Sequence, residues 1–308
     1  MKAPASRSSF ILPRSSLLVI RLSALGDVIH TIPAVVALRE HYAIDWVVES
    51  AYRELIEIVA GVDAKPVSLK RWSIANIDAA RRAVQGHDVA IDFQGLIKSA
   101  LLARASGARE RYGFAPAFIR EKPAAWFVNR HVSVGANTHV VEWNLQLARA
   151  LQPSLAMPKV DFSRFPVEDS RPPLSHRVVL IPGAGRPEKQ WPVERFRELA
   201  QRIGPKAFVV WGPAERELAE GVGAELAPPT NLRELARVLA DAELVIGGDT
   251  GPLHLAAALG TRVIGLYGST NPARNGPYGQ LANCASTFGT TRSMQTIAVD
   301  DVWRIMER

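Results

Sequence analysis

The sequence predicts an α/β fold made of two doubly wound parallel-sheet domains that face a central cleft. Short β-branched runs alternate with amphipathic helical stretches throughout the 308 residues, which indicates βαβ units with parallel strands. The length agrees with two domains of ordinary size. Between the halves, residues 163–176 are rich in proline, serine and charge and lack helical or strand periodicity, so we interpret them as a linker.

Each half is predicted to be a series of strands followed by helices. In the first half, the strands are predicted at 17–21, 45–48, 66–69 and 89–92, and the helices at 28–41, 53–60, 77–85, 97–105 and 138–151. In the second half, the strands are predicted at 178–181, 207–211, 244–247 and 262–266, and the helices at 192–203, 214–221, 232–240, 252–259 and 299–307. Residues 1–16 are predicted to be a flexible leader, 17–162 the first domain and 177–308 the second, with the final helix packing back on the first.

Composition limits the classes of protein to which the chain can belong. Its net charge of +7 predicts attraction to an anion: nucleic acid, acidic lipid or a phosphorylated substrate. The single cysteine, Cys284, excludes an intrachain disulfide and cysteine-based zinc sites, and it fits a reducing compartment. The longest apolar stretch, 17–38, is interrupted by Arg21, Asp27 and His30, so we expect no membrane span and a cytoplasmic location.

The turn after the first predicted strand carries a glycine followed by a carboxylate, Gly26 and Asp27. Two interpretations of Asp27 are open. It can be a helix N-cap that accepts backbone N–H bonds, or a general base that takes a proton from an acceptor hydroxyl. His30 lies one helical turn further on, where packing is its simplest role.

The second half contains the strongest local signal, a strand that runs into Gly248-Asp-Thr-Gly-Pro-Leu-His254. The N–H groups of Thr250 and Gly251, at the start of a helix, predict an anion site. Asp249 would repel a phosphate, so we assign it to ordering the loop or polarising His254. A purely structural turn is the alternative.

Two further strand ends in this half carry polar residues. The glycine-containing turn after residue 181 leads to Lys189, a point charge suited to a pyrophosphate. Glu215 follows the next strand, where a carboxylate can accept ribose hydroxyl bonds. The alternative is that both are ordinary surface charges.

The first half offers a polar turn and scattered cations on the predicted acceptor side. The turn Asp92-Phe-Gln-Gly-Leu-Ile-Lys-Ser99 contains Gln94 and Lys98. The other cations that together suit a strongly anionic acceptor are Lys70, Arg71, Arg120, Lys122 and Arg130. Motifs of metallohydrolases and serine hydrolases are absent from the sequence.

Four motifs together resemble the bacterial lipopolysaccharide heptosyltransferases. They are Leu22-Ser-Ala-Leu-Gly-Asp-Val-Ile-His-Thr-Ile-Pro33, Asp92-Phe-Gln-Gly-Leu-Ile-Lys-Ser99, Lys189-Gln-Trp-Pro192 and Asp249-Thr-Gly-Pro-Leu-His254. They occur in the family's order and cover most of the chain from residue 17 onward. The first two motifs, together with Phe127-Val-Asn-Arg130, make the resemblance strongest to the type I enzymes.

This resemblance implies a GT-B glycosyltransferase with two Rossmann-like domains. It implies transfer of L-glycero-D-manno-heptose from ADP-heptose to the Kdo of Kdo-lipid A, with inversion at the anomeric carbon. No obligatory metal or other cofactor is implied, and magnesium stimulation is left open. The implied partners are the two substrates and, transiently, the cytoplasmic face of the inner membrane, without nucleic acid.

The resemblance also assigns roles to individual positions. Asp27 matches the catalytic base. The donor side comprises Lys189, Glu215, Asp249, Thr250, Gly251 and His254, and the acceptor side comprises Lys70, Arg71, Gln94, Lys98 and Arg120. This chain departs from relatives that carry hydroxyl residues before the lysine, since it has Ala184 and Gly185 there.

Three alternatives remain open from the sequence. A type II or III heptosyltransferase would act on an already heptosylated acceptor. A dinucleotide-binding oxidoreductase would share the Rossmann-like halves, although G-x-G-x-x-G is missing after the first strand. A nucleic-acid-binding protein is suggested only by the basic charge, since the chain shows no interleaving of aromatic and basic residues.

Overall fold

The computed structural model describes residues 14–58, 62–69, 74–156 and 176–308. Most of the predicted leader, two acceptor-side candidates, Lys70 and Arg71, and residues 163–175 of the predicted linker lie outside the described residues. The domain boundaries therefore stay a prediction.

The first half contains a six-stranded parallel sheet with strand order β3-β2-β1-β4-β5-β6. Its strands are β1 (Ser16–Ile20), β2 (Ala43–Glu49), β3 (Val62–Val67), β4 (Val89–Asp92), β5 (Glu110–Phe114) and β6 (Arg130–Val132). Its helices are α1 (Leu25–Leu38), α2 (Arg53–Ile58), α3 (Ile74–Ala83), α4 (Ile97–Ala105) and α5 (Val140–Leu151). Residues 17–20 of β1 are fully buried, as a strand covered on both faces requires.

The second half repeats this winding in the order β12-β11-β10-β7-β8-β9. Its strands are β7 (Val178–Ile181), β8 (Ala207–Val209), β9 (Glu225–Leu226), β10 (Leu244–Gly248), β11 (Val263–Tyr267) and β12 (Cys284–Ser286). Its helices are α6 (Val193–Ile203), α7 (Arg216–Glu220), α8 (Leu232–Asp241), α9 (Gly251–Ala258), α10 (Pro272–Asn275) and α11 (Val299–Met306). The predicted fold of two doubly wound sheets is confirmed.

The sequence-based prediction missed four strands, all in the outer part of a sheet. β6, β9 and β12 have only two or three residues each, and β5 begins with two charged residues, Glu110 and Arg111. Outer strands are partly solvated, so they need no continuous apolar run. β3 also begins four residues before the predicted start at residue 66.

The expected packing of the final helix on the first domain was wrong. α11 packs against α6, β11 and β12. Its buried residues Val299, Val302 and Ile305 belong to the core of the second half. A strongly amphipathic helix packs where apolar surface is nearest, and here that surface is its own sheet.

The two halves are joined by an apolar contact and by specific polar bonds. α1 packs against both α5 and α9, so a helix of the first half contacts one of the second. The Glu54 carboxylate accepts a 3.0 Å hydrogen bond from the Leu232 N–H at the start of α8. The Arg274 guanidinium lies 4.0 Å from the centre of the Trp143 ring. Together these contacts set the distance between the two sheet edges that form the cleft.

Within the described residues, none of the helices has the length and apolar character needed to cross a membrane.

Candidate active site

The cleft lies at the two points where ligands are expected in doubly wound sheets. Strand order reverses between β1 and β4 in one half and between β7 and β10 in the other, and ligands bind beyond the carboxyl ends of strands at such points. A cleft of about 670 Å³ opens there and is lined by residues of both halves. The predicted site residues that line it are Asp27, Lys189, Glu215, Asp249, Thr250, Gly251 and His254.

Two helix N-termini meet inside this cleft. A Cβ on Gly251 would lie 2.6 Å from Leu25 Cγ, and a Cβ on Gly26 would lie 3.1 Å from His254 Cδ2. The starts of α1 and α9 therefore approach so closely that glycine is required on at least one of them. This contact places the predicted base and the predicted anion site side by side.

Asp27 is the third residue of α1 rather than its N-cap, because the helix begins at Leu25. Its Oδ2 accepts the Ala24 N–H at 3.3 Å and lies 2.8 Å from Nη2 of Arg21. Its side chain is 46% exposed, so it remains accessible from the cleft. The Arg21 guanidinium, which also donates to the Phe93 carbonyl, fixes the carboxylate, a partnership the sequence analysis missed.

Lys189, Asp249 and His254 form one chain of contacts. Lys189 Nζ donates to Asp249 Oδ2 at 2.6 Å, and His254 Nε2 lies 2.9 Å from Asp249 Oδ1. Burial alone would raise the pKa of Asp249, but the bonds and charges of His254 and Lys189 outweigh burial and lower that pKa to about 2. Asp249 is thus an ionised anchor whose charge is balanced by Lys189, which relieves its repulsion of a bound phosphate.

Three histidines cluster between the halves. The ring centres of His30 and His254 are 4.3 Å apart, and those of His30 and His139 are 5.6 Å apart. His139 Nε2 donates to the Gly276 carbonyl across the halves at 2.9 Å, while its Nδ1 accepts the Val141 N–H. Burial, followed by the neighbouring His254, holds the pKa of His30 well below its ordinary value, so His30 is neutral at pH 7.

Thr250 and the first turn of α9 have the features of an anion site. Thr250 Oγ1 and His254 Nδ1 are buried and have no hydrogen-bond partner among the residues that the structure describes. Both residues line the cleft, beside the unpaired N–H groups that begin every helix. Buried polar atoms normally have partners, so these two are free to bind a polar ligand.

Glu215 lines another side of the cleft. It follows β8, the second strand of its half. Its Oε2 accepts the Gly212 N–H at 2.8 Å. A Cβ on Gly183 would lie only 2.1 Å from this oxygen, so the glycine after β7 makes room for the carboxylate. In doubly wound nucleotide-binding folds, an acidic residue in this region accepts the ribose hydroxyls.

The predicted acceptor-side residues that the structure describes do not line the cleft. The Gln94 side-chain oxygen accepts the Leu22 N–H at 2.7 Å, and Lys98 Nζ lies 3.9 Å from Glu49. Arg120 is exposed. Their acceptor-binding role stays a prediction.

Sequence reasoning missed several residues that line the cleft. They are Tyr52, Val210, Leu235, Thr270 and Asn275. Thr270 and Asn275 follow β11, so the Ser-Thr-Asn-Pro run after that apolar strand was a usable signal. Among the described residues, no group of three or more His, Cys, Asp or Glu side chains could hold a metal ion.

Comparison with known proteins places the chain among sugar-transferring enzymes. Residues 78–299 match glycosyltransferase family 9 (heptosyltransferase). Lipopolysaccharide heptosyltransferase 1 of Pseudomonas aeruginosa is 36% identical, with 85% of this chain and 81% of that protein covered. The enzyme of the same name from Escherichia coli is 33% identical, with 85% and 91% covered.

A solved structure agrees with this relationship. The Escherichia coli heptosyltransferase WaaC, solved with ADP, superimposes with a TM-score of 0.82 at 29% sequence identity. The match covers 95% of this chain and 99% of that one. The same enzyme was also solved with ADP-2-deoxy-2-fluoro heptose.

Proposed function

Because this chain belongs to glycosyltransferase family 9, the heptosyltransferases, we propose that it moves L-glycero-D-manno-heptose from ADP-heptose to the Kdo of Kdo-lipid A. It is a glycosyltransferase that transfers heptose in lipopolysaccharide core synthesis. The single observation that carries the proposed mechanism is the contact between the starts of α1 and α9. It brings a carboxylate and an anion site into one cleft.

The reaction is a direct displacement with inversion. The Asp27 carboxylate takes the proton of the acceptor hydroxyl as that oxygen forms a bond to C1 of the heptose. The bond from C1 to the diphosphate oxygen breaks, and ADP leaves with its electron pair. Because Asp27 lies in the first turn of a helix, where negative charge is stabilised, proton transfer occurs late, when the attacking oxygen has become acidic.

The leaving diphosphate is stabilised from the second half. Lys189 supplies a point charge, and the N–H groups of Thr250 and Gly251 point outward from the start of α9. The unpartnered His254 Nδ1 adds a further polar contact. These groups accelerate transfer to the extent that they bind the developing negative charge better than the intact donor. The proposed mechanism includes no obligatory metal, as the resemblance to the family implies.

The nucleoside lies beyond the diphosphate, along the end of β8. Glu215 accepts the ribose hydroxyls. Ile181, Val210, Trp211 and Leu235 provide an apolar wall for the adenine ring. The turn that carries Ala184 and Gly185 contributes backbone N–H groups where relatives carry hydroxyl residues.

The acceptor approaches from the first half. Lys70, Arg71, Gln94, Lys98 and Arg120 are the proposed contacts for its anionic sugar and phosphate groups. The enzyme works in the cytoplasm and transiently visits the cytoplasmic face of the inner membrane, where a lipid-linked acceptor is held.

ADP release from ADP-heptose tests this function directly. We expect release that depends on Kdo-lipid A, and little release with heptosyl-Kdo-lipid A. The reverse preference would identify a type II or III enzyme. An absence of release with both acceptors would refute the proposal, and titration with NAD, for which we expect no binding, tests the oxidoreductase alternative.

A further inference from the structure

An apolar patch on the first half lies outside the cleft. Trp126 is 82% exposed, and Ile97 and Leu101 are 38% and 42% exposed. Ile97 and Leu101 are four residues apart on α4 and therefore share one face. The 3₁₀ segment Lys122–Phe127, which carries Trp126, packs against that helix. Contiguous exposed apolar groups of this kind often mark interaction sites.

Positive charge is concentrated around this apolar patch. The segment 93–132 contains seven lysines and arginines but only two acidic residues, in a chain whose total charge is +7. Both acidic residues are engaged, since Glu110 pairs with Arg130 and Glu121 accepts the Ile97 N–H. Arg104 lies three residues after Leu101 on the exposed face of α4. Lys122, at the start of the 3₁₀ segment, is also exposed.

The patch runs along the outer side of α4, in the half of the molecule that is assigned to the acceptor. α4 begins just after β4, so Ile97 lies near the edge of the sheet where α1 carries Asp27. Trp126 lies towards the opposite edge, because the carbonyl of the next residue, Phe127, accepts a hydrogen bond from Arg111 near the start of β5. A surface that covered the patch would therefore lie along this flank of the first half.

We propose that this patch, formed by Trp126, Ile97, Leu101, Arg104 and Lys122, docks the enzyme on an anionic lipid bilayer. Tryptophan is suited to the boundary between headgroups and acyl chains, and each nearby cation is attracted to acidic headgroups. Three apolar side chains cover much less than the ~800 Å² per partner of a stable protein interface, which favours a bilayer. The proposal rests on the proposed function, which places the acceptor in a membrane.

Vesicle co-sedimentation of the full chain tests the docking surface. We expect binding to vesicles of phosphatidylcholine mixed with phosphatidylglycerol, weak binding to phosphatidylcholine alone, and loss of binding as salt is raised. Trp126→Ala should weaken binding about tenfold, and Lys122→Ala about fivefold. The controls Leu281→Ala and Lys206→Ala change an exposed apolar residue and an exposed cation of the second half and should bind like the wild type.

Several outcomes would overturn the proposal. They are unchanged vesicle binding by Trp126→Ala, equal binding to neutral and acidic vesicles, or a wild-type dimer that Trp126→Ala converts to a monomer. The last result would show that a second copy covers the patch. Because Trp126 is exposed, Trp126→Ala should fold normally, and circular dichroism checks this.

An activity assay separates this proposal from the proposed function. Trp126→Ala should transfer heptose normally to a deacylated, water-soluble Kdo acceptor and more slowly to vesicle-embedded Kdo-lipid A. Equal rates of variant and wild type on both acceptors would contradict docking. Vesicle binding itself needs neither donor nor acceptor, so an absence of transfer by the wild type would refute only the function.

Discussion

Replacing the buried carboxylate at the end of β4 should change how stability depends on pH. Asp92 is 1% exposed. Burial raises its pKa from the ordinary 3.8 to about 6, against the opposing hydrogen bonds of Gln94, Ser99 and Gly95. Because the folded protein binds this proton more tightly than the unfolded chain, the ionised group lowers stability as pH rises from about 4 to above 6. At pH 8 that cost is about 3 kcal/mol.

Asp92→Asn removes the charge and keeps the shape. The asparagine oxygen can still accept the N–H groups of Gln94 and Gly95, now 2.8 and 3.2 Å from Oδ1. The Ser99 hydroxyl can donate to the Leu96 carbonyl, already at 2.8 Å, and accept from the new amide. We therefore expect the stability of the variant, relative to wild type, to rise by about 1 kcal/mol between pH 5 and pH 8.

Urea unfolding at these two pH values measures this difference. Asp88→Asn is a suitable control, because hydrogen bonds from Ser16 lower the pKa of that exposed carboxyl. It stays ionised across this range, so its effect on stability should be the same at both pH values. A constant difference between Asp92→Asn and wild type would refute the reasoning.

Three further predictions concern the cleft. Asp27→Asn should abolish heptose transfer but retain ADP-heptose binding, measured by titration calorimetry, because the base and its ion pair with Arg21 are lost while the groups of the second half are unchanged. Lys189→Ala should weaken ADP binding about 10- to 100-fold, because a charged hydrogen bond is lost and Asp249 is left uncompensated. Gly251→Ala should slow transfer and cost about 1–3 kcal/mol in urea unfolding, because its Cβ would overlap Leu25.

Each of these three has a result that counts against it. Near-normal heptose transfer by Asp27→Asn would exclude Asp27 as the general base. Wild-type ADP affinity of Lys189→Ala would exclude its diphosphate role, with Lys206→Ala as a surface-charge control. Wild-type behaviour of Gly251→Ala would show that the close helix approach is unimportant, and Gly289→Ala, whose Cβ meets nothing within 4 Å, is the matched control.

The sequence could predict the elements whose local pattern carries the information. Central strands such as β1 and β10 are buried on both faces, so they appear as continuous apolar runs, and the turns after them carry the polar residues of the site. The outer strands escaped prediction because they are partly solvated and need no continuous apolar run. The destination of α11 could not be predicted because its amphipathic pattern shows which face is buried but not against which sheet it packs.

The sequence alone determined the class of fold, the four motifs and a set of predicted site residues, seven of which line one cleft. Tertiary structure alone decided how these residues work together: that Arg21 binds Asp27, that Asp249 joins Lys189 to His254, and that α1 and α9 meet at their starts. Periodicity and turn chemistry are local properties, which a sequence displays directly. A contact between residues in opposite halves of the chain, such as that of Leu25 with Gly251, depends on how the two halves pack, and no local pattern encodes that packing.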